Sequence, residues 1–413
     1  MHTTAAQPPP RSPSSLFPGE AQEVLRQLRR AIAEMFDSVP GGVRKSRDVQ
    51  KLFGVSTKLS WQIFKLAGPG DAMSLAPHVP KAAAMRGFLE AAGKHAVPVH
   101  HLDKVRAAYS AFEHLIETYA GDRTSFDSMA SGLSGTGSKQ TGLQHRKAIF
   151  RGHSHFWGAQ VDTRIITHLM HPSTVANRFD MAAIRSKFGL RRLRSDAEVV
   201  VDTIRVSPPA GRAEYHWDYL DADAAQRYGA PILPQVSTHP LPVLRTVPGT
   251  MPGKMNSELN DAAFGRRGAV NLTFGQVWRE TELSPSEDGK RQGWLVLTHI
   301  HTPTALFIAD MLVHRPTFPR VVSQIEVYGH CSGDSPYDIE RTHPTLPLAE
   351  QIAKLDAGAD DARIQGVPQY HEALQHVCDR LSWRLDDFDV YRVRIEYPLL
   401  DTLVAMRFDI EPD

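Results

Sequence analysis

The chain has 413 residues, a formal net charge of +1, 41% hydrophobic residues and 23% charged residues. Because one compact core rarely grows to this size, we expect two or three domains. The near-neutral total excludes a protein that binds polyanions over its whole surface. No apolar run approaches the roughly eighteen residues of a membrane span, and two cysteines allow at most one disulfide. We therefore expect a cytoplasmic protein with no membrane partner.

The N-terminus combines a proline-rich stretch with an amphipathic helix. Five of the first eighteen residues are proline, which predicts a disordered leader over residues 1–18. From Glu20 to Val39, apolar residues recur every three or four positions, as on one face of a helix. Pro40 and the two glycines after it end this predicted helix.

The segment from Arg44 to Ala67 is predicted to form two short helices around Gly54. Ser46 is suited to cap the first helix, and Ser56 or Thr57 the second. Glycine readily adopts the left-handed conformation that such a turn needs. Between Pro40 and Ala67 there are six Lys/Arg residues against one acid, Asp48. The pattern therefore indicates a local basic surface on a helical hairpin.

Residues 46–66 resemble the helix-turn-helix of bacterial transcription regulators, with Gly54 at the turn, Val55 after it and Ile63 packing the second helix on the first. Gln50 and Ser60 stand where these motifs usually carry a small alanine and a branched apolar residue. The resemblance implies that the second helix enters the major groove of double-stranded DNA. The DNA-contacting residues are then expected to be Arg44, Lys45, Arg47, Ser56, Thr57, Lys58, Ser60, Gln62 and Lys65.

Further helices complete the N-terminal region. Periodicity predicts helices over residues 81–96, 99–119 and 123–133, which would brace the helix-turn-helix. The sequence Ser-Gly-Thr-Gly-Ser at residues 134–138 predicts a linker. We therefore divide the chain into a helical domain, residues 19–133, and a second domain, residues 139–413.

The second domain is predicted to be mainly an antiparallel β-structure with a few helices, so the fold class of the chain is α+β. Strand-like patterns occupy residues 163–170, 197–206, 268–280, 293–302, 305–314, 321–329, 390–397 and 403–410. Helices are predicted over residues 144–157 and 368–385. Residues 208–268 are rich in proline and glycine and are predicted to form long surface loops.

A second basic segment runs from Arg178 to Arg194 and has six Lys/Arg residues against Asp180. It could extend a nucleic-acid surface. The commoner interpretation of such a run is a solvated helix and turn.

His299 and His301 are the candidates for a metal site. They are two residues apart on a predicted strand, where alternate side chains share a face, so both rings could reach one ion. This alternative makes the second domain a metal-dependent enzyme. A further alternative is a scaffold that binds a protein, because the tail from Cys331 to Asp413 has seventeen Asp/Glu residues against eight Lys/Arg residues.

The interpretation that the sequence favours is a DNA-binding protein, a transcription regulator whose second domain senses a ligand or oligomerises. It predicts double-stranded DNA as the partner, with a small-molecule or protein effector and a homodimer as further possibilities. No catalytic residues and no cofactor are predicted.

Overall fold

The computed structural model describes residues 13–95, 97–133, 138–206, 216–249, 253–260, 263–285, 292–329, 345–346, 350–356 and 362–410. The chain divides into two compact units, residues 1–142 and 143–413. The first is helical and the second is larger and mostly antiparallel β-sheet, which confirms the α+β class. The division follows closely on the predicted linker, of which residues 134–137 lie outside the described residues.

The N-terminal unit consists of helices packed around one apolar core. Their bounds are Pro13–Asp37 (α1), Ser46–Phe53 (α2), Thr57–Ala67 (α3), Ala72–Leu75 (α4), Ala82–Lys94 (α5), Val99–Tyr119 (α6) and Arg123–Leu133 (α7), and the next helix, Ser138–Trp157 (α8), crosses the division. The apolar face of α1 is fully buried in this core through Leu25, Leu28 and Ile32. Burial of these side chains supplies most of the stabilisation that ordered helices need.

The predicted leader is too long, because residues 13–18 belong to α1. Phe17 is buried there, with its ring centroid 5.3 Å from that of Tyr119 and 6.0 Å from that of Phe126. Contacts between aromatic rings at these separations stabilise a core. They outweigh the proline-rich composition that predicted disorder. Residues 1–12 lie outside the described residues.

The C-terminal unit contains three sheets. Its strands are Ala159–Pro172 (β1), Phe179–Arg192 (β2), Val200–Arg205 (β3), His216–Tyr219 (β4), Leu244–Pro248 (β5), Lys254–Leu259 (β6), Val270–Thr281 (β7), Ser284–Pro285 (β8), Gln292–His299 (β9), Thr304–His314 (β10), Val321–Tyr328 (β11), Ala353–Lys354 (β12), Phe388–Glu396 (β13) and Leu403–Ile410 (β14). Two helices, Ala222–Tyr228 (α9) and Gln369–Leu381 (α10), lie between strands. Strand order is β12-β13-β10-β1-β2-β7-β4 in the large sheet, β11-β14-β9-β8 in the second and β3-β6-β5 in the third. Strands β1 and β10 are parallel, whereas the other strand pairs among the described residues are antiparallel.

Two sequence predictions about this unit are wrong. The basic segment from Arg178 to Arg194 is largely strand β2, in the middle of the large sheet, and not a solvated helix. The stretch 208–268 contains β4, α9, β5 and β6 besides its loops. Both errors concern short or two-sided strands whose sequences lack a clear alternation of polar and apolar residues.

The large sheet is covered on both faces. On one face α10 buries Leu374 and Val377 against Ile165 and Leu169 of β1. The hydroxyl of Tyr370 lies 2.5 Å from a carboxylate oxygen of Asp310. On the other face, β1 residues in the alternate register meet the second sheet, where Trp294 and Phe408 stack. This alternation of faces determines which side chains of β1 and β2 reach the site described below.

Candidate functional site

The α2–α3 segment forms a helical hairpin with a short turn. Gly54 follows α2 with φ 64° and ψ 25°, and its N–H donates to the carbonyl of Gln50. Only Gly54, Val55 and Ser56 separate the two helices, and the Ser56 hydroxyl caps α3 by accepting from the N–H of Leu59. Two helices joined by a three- to four-residue turn that contains glycine is the arrangement of a helix-turn-helix.

The two positions where the sequence departs from the usual motif have local partners. The Gln50 side-chain amide donates to the Thr57 hydroxyl over 3.2 Å, so it bridges the turn. Ser60 is only 1% exposed, and its hydroxyl donates to the carbonyls of Ser56 and Thr57, each over 3.0 Å. Ser60 is therefore unavailable for the base contact predicted from the sequence. Ile63 is fully buried, as predicted.

The predicted cationic contacts are all on the surface. The side chains of Arg44, Lys45, Arg47, Lys58 and Lys65 are exposed, as is that of Lys51. The one acid nearby, Asp48, accepts hydrogen bonds from the backbone N–H groups of Arg44 and Lys45 over 3.0 and 2.8 Å. Its carboxylate is therefore engaged with the backbone at the start of α2. In the described part of the chain, no carboxylate lies within ion-pair distance of these six cations.

The exposed face of α3 carries one aromatic residue that sequence reasoning missed. Trp61 is 44% exposed and lies between Lys58 and Lys65 at helical spacing. Its ring centroid is 5.0 Å from that of His78, in an edge-to-face contact. Gln62 is half-buried beside it, whereas Ser56 and Thr57 are exposed. The sequence does indicate this exposure. Trp61 is two positions from both Leu59 and Ile63, and a helix turns about 200° over two residues, so Trp61 faces away from the side of α3 that carries those apolar residues.

We call this surface the basic hairpin face and define it by Arg44, Lys45, Arg47, Lys51, Lys58, Trp61 and Lys65. Burial, followed by repulsion from Lys65, lowers the pKa of His78 below its usual value. A neutral imidazole beside Trp61 leaves the positive charge of the face to its lysines and arginines. The arrangement can hold a polyanion.

A cavity of about 460 Å³ lies in the C-terminal unit. Its walls come from strands β1, β2, β3, β6, β7 and β9, from the end of α8 and from the segments before β3 and after β9. On β1 the cavity is lined by Ala159 at the start of the strand and by Arg164, Ile166 and His168, which share one face. Ala183, Arg185, Ser186 and Lys187 line it from β2, so two of the four basic residues of that strand face the cavity.

Four cations line this cavity, namely Arg164, Arg185, Lys187 and Lys254, together with one buried carboxylate, Asp202. Arg185 donates two hydrogen bonds to Asp202, over 2.7 and 2.8 Å, and forms a closed ion pair. Arg164 donates to the His299 carbonyl over 2.7 Å. Lys187 donates to the carbonyls of Val200 and Val201 over 2.9 and 2.7 Å. Arg164 and Lys187 thus bond to backbone carbonyls, while the Asp202 carboxylate is bonded to Arg185.

Burial strongly perturbs the titration of these groups. Desolvation, followed by repulsion from Arg164, lowers the pKa of Lys187 to about 7. Desolvation lowers the pKa of Arg164 to about 10 and that of His168 to about 4. Asp202 favours the charged forms of Arg164 and Lys187 but does not offset burial. The cavity is therefore an unfavourable place for the positive charge that its residues carry.

His299 and His301 lie together at the edge of the cavity. Their rings are nearly parallel, at 5°, with centroids 5.1 Å apart. His301 is exposed, and partial desolvation, followed by repulsion from His299 and Arg164, lowers its pKa. Among the described residues, no third His, Cys, Asp or Glu joins them to complete a metal-binding group. Zinc sites use three or four protein ligands, so this pair with adjacent cations suits a metal ion poorly.

Comparison with protein-family models, with curated proteins and with solved structures finds no match. Within the ranges that the structure describes, no helix is both long enough and apolar enough to cross a bilayer. The functional argument therefore depends on the two sites themselves.

Proposed function

We propose that this protein binds double-stranded DNA through the basic hairpin face and acts as a transcription regulator. The observation that carries the proposal is the helix–turn–helix geometry of α2 and α3 with six exposed cations on and beside it. The C-terminal unit serves as the sensing or oligomerisation part of the regulator. Such a protein works in the cytoplasm of a bacterial cell, and a homodimer would double the contact with DNA.

The assignment of roles follows the position of each side chain. Arg44, Lys45 and Arg47 precede or begin α2, where they are placed to neutralise backbone phosphates. Lys58 and Lys65 flank Trp61 on the outer face of α3, the helix that would enter the major groove. The Trp61 ring supplies apolar contact area there, of the kind that packs against a thymine methyl group. Ser60 has no role in contact with DNA because it is buried.

The test is the salt dependence of binding to a labelled random-sequence duplex, measured by fluorescence anisotropy on the full chain. We expect Lys58→Ala combined with Lys65→Ala to weaken binding at low salt. The slope of log K against log salt concentration should become shallower by about 2, because each phosphate contact contributes about 0.9.

Lys104→Ala is the matched control. This lysine is on α6 of the same unit and already pairs with Glu34 over 2.7 Å, so its removal takes away one positive charge, as each hairpin substitution does, without touching the hairpin face. We expect its slope to equal that of the unmodified protein. The proposal would be contradicted if the folded protein did not bind the duplex at low salt. It would also be contradicted if Lys104→Ala changed the slope as much as the double variant does.

A further inference from the structure

The cavity of the C-terminal unit contains an excess of positive charge, and the proposed DNA binding does not explain it. Arg164, Arg185 and Lys187 face Asp202 alone among buried acids, and Asp202 is taken by Arg185. When Lys187 is protonated the cluster has two positive charges in excess. Lys254 and the exposed Glu198 also line the cavity, and their opposite charges leave the excess at two.

Arg164 and Lys187 also have N–H groups that are available to a ligand. An arginine carries five N–H donors and a lysine three. The bonds described above use one donor of Arg164 and two of Lys187. Both side chains line the cavity, so a ligand inside it can reach them.

We propose that this cavity binds the dianionic phosphate group of a small molecule, with Arg164 and Lys187 as its charged donors. A phosphate monoester carries close to two negative charges at neutral pH, which matches the excess of two. A single carboxylate would leave one buried cation uncompensated. Guanidinium and ammonium groups are both common phosphate ligands, the first as a fork and the second as a point charge.

The dimensions of the cavity favour a small molecule over a nucleic acid. Its volume of about 460 Å³ falls within the range of ordinary ligand pockets, about 300–1,000 Å³. Ile166, Leu297 and Trp278 contribute apolar and aromatic surface beside the cations. The cavity can therefore hold the organic part of a phosphate ester next to its charged group. This inference does not depend on DNA binding, and either can fail without the other.

The experiment is isothermal titration calorimetry on the full chain, dialysed into chloride buffer of constant ionic strength. The probes are inorganic phosphate, adenosine monophosphate and neutral adenosine. We expect saturable binding of the phosphate-bearing probes and none of adenosine. If adenosine monophosphate has a lower dissociation constant than inorganic phosphate, the ligand is a phosphate ester. If the two dissociation constants are equal, the ligand is free phosphate.

The variants Arg164→Gln and Lys187→Gln should each weaken binding by at least about 10-fold, because each removes a charge-assisted hydrogen bond in a desolvated site. Arg384→Gln is the matched control, since the Arg384 side chain is 79% exposed and is not among the cavity-lining residues. The control should bind as the unmodified protein does. Absence of saturable binding, or an equal loss in the control, overturns the proposal.

A pH profile of the unmodified protein tests the same site without relying on the folding of a variant. Sulfate is the probe, because it stays a dianion across the neutral range. Lys187 must be protonated to bind it, and desolvation lowers the pKa of this lysine to about 7. We therefore expect the affinity for sulfate to fall as the pH rises from 6 to 9. An affinity that is constant over this range contradicts the role of Lys187.

Discussion

Lys187 has two opposite effects on the stability of the fold: its hydrogen bonds stabilise it and its buried charge destabilises it. Its ammonium group satisfies two carbonyl groups of β3, an edge strand of the three-stranded sheet, and so joins that sheet to β2. The same contacts place a cation inside the protein beside Arg164. Burial of a charge without a carboxylate partner of its own reduces the free energy of unfolding.

Because the pKa of Lys187 is lowered from 10.5 to about 7, this lysine contributes a pH-dependent term to stability. Between about pH 7 and 10.5 the unfolded chain holds the proton and the folded protein releases it, so the free energy of unfolding rises with pH. The rise from this group is at most about 1.4 kcal/mol per pH unit. Lys187→Met should remove it. The stability of the unmodified protein relative to the variant should therefore increase between pH 7 and 9.

Urea unfolding of both proteins at each pH, in phosphate-free buffer, measures this difference. Groups other than Lys187 titrate in both proteins, so their effect cancels in the difference between the two free energies of unfolding. Loss of the two hydrogen bonds to β3 shifts this difference by a constant amount and does not change how it varies with pH. A difference in stability that does not change with pH would show that Lys187 keeps its usual pKa when folded.

At the scale of elements, the turn between α2 and α3 requires a left-handed backbone conformation at Gly54. Gly54 has φ 64°, and a Cβ added there would meet no atom within 4 Å. Gly87 lies inside α5, is exposed and has equally open surroundings. The same substitution should therefore have opposite effects at the two glycines, because only Gly54 is in the left-handed region.

We expect Gly54→Ala to lower the free energy of unfolding of the helical unit by roughly 1–2 kcal/mol, the cost of left-handed backbone in a residue with a side chain. Gly87→Ala should raise it by about 0.5–1 kcal/mol, because alanine loses less entropy than glycine in a helix. Thermal and urea unfolding followed by helical circular dichroism distinguish the two. A stabilising Gly54→Ala would mean that the turn does not adopt this conformation.

How well the sequence predicted each element depended on how many of its faces are buried. Helices α6 and α7 were predicted to the residue, because a helix with one buried face repeats its apolar residues every three or four positions. Strand β14 was also predicted to the residue. Strand β2 was missed because both its faces are covered, and on one of them Arg185 and Lys187 line a cavity. Arg185 and Lys187 therefore looked like surface residues.

The candidate sites follow the same rule. The hairpin face was largely predictable because α2, the turn and α3 are contiguous in sequence, and only Ser60 was placed on the wrong side. The cavity was not predictable, since Arg164, Lys187 and Asp202 are on three strands whose pairing a local pattern does not reveal. His299 and His301 were predicted as a pair because they are close in sequence. Their cationic neighbours, Arg164 and Lys187, are distant in sequence and could not be predicted.

At the scale of the whole molecule, the hydrophobic cores of the described residues divide as the chain does. The core of the helical unit is made of residues between Phe17 and Ala130, and the three clusters of the other unit are made of residues from Ala159 onward. Two residues of α8 contact the C-terminal unit: Arg146 pairs with Glu350 over 2.5 Å, and the ring of Phe150 lies 5.3 Å from that of Tyr397. Helix α8 therefore belongs with the sheets.

Because neither core shares residues with the other, we expect each unit to fold when produced alone, as residues 1–133 and as residues 138–413. Each fragment should show one cooperative thermal transition, since each keeps its own buried apolar residues. The first fragment should retain affinity for duplex DNA at low salt, and the second should retain the calorimetric response to phosphate. A matched fragment that begins at residue 158 lacks α8 and the Arg146–Glu350 pair, so it should unfold at a lower temperature than 138–413. If 138–413 shows no cooperative transition while the full chain does, the C-terminal unit depends on the helical unit for its stability.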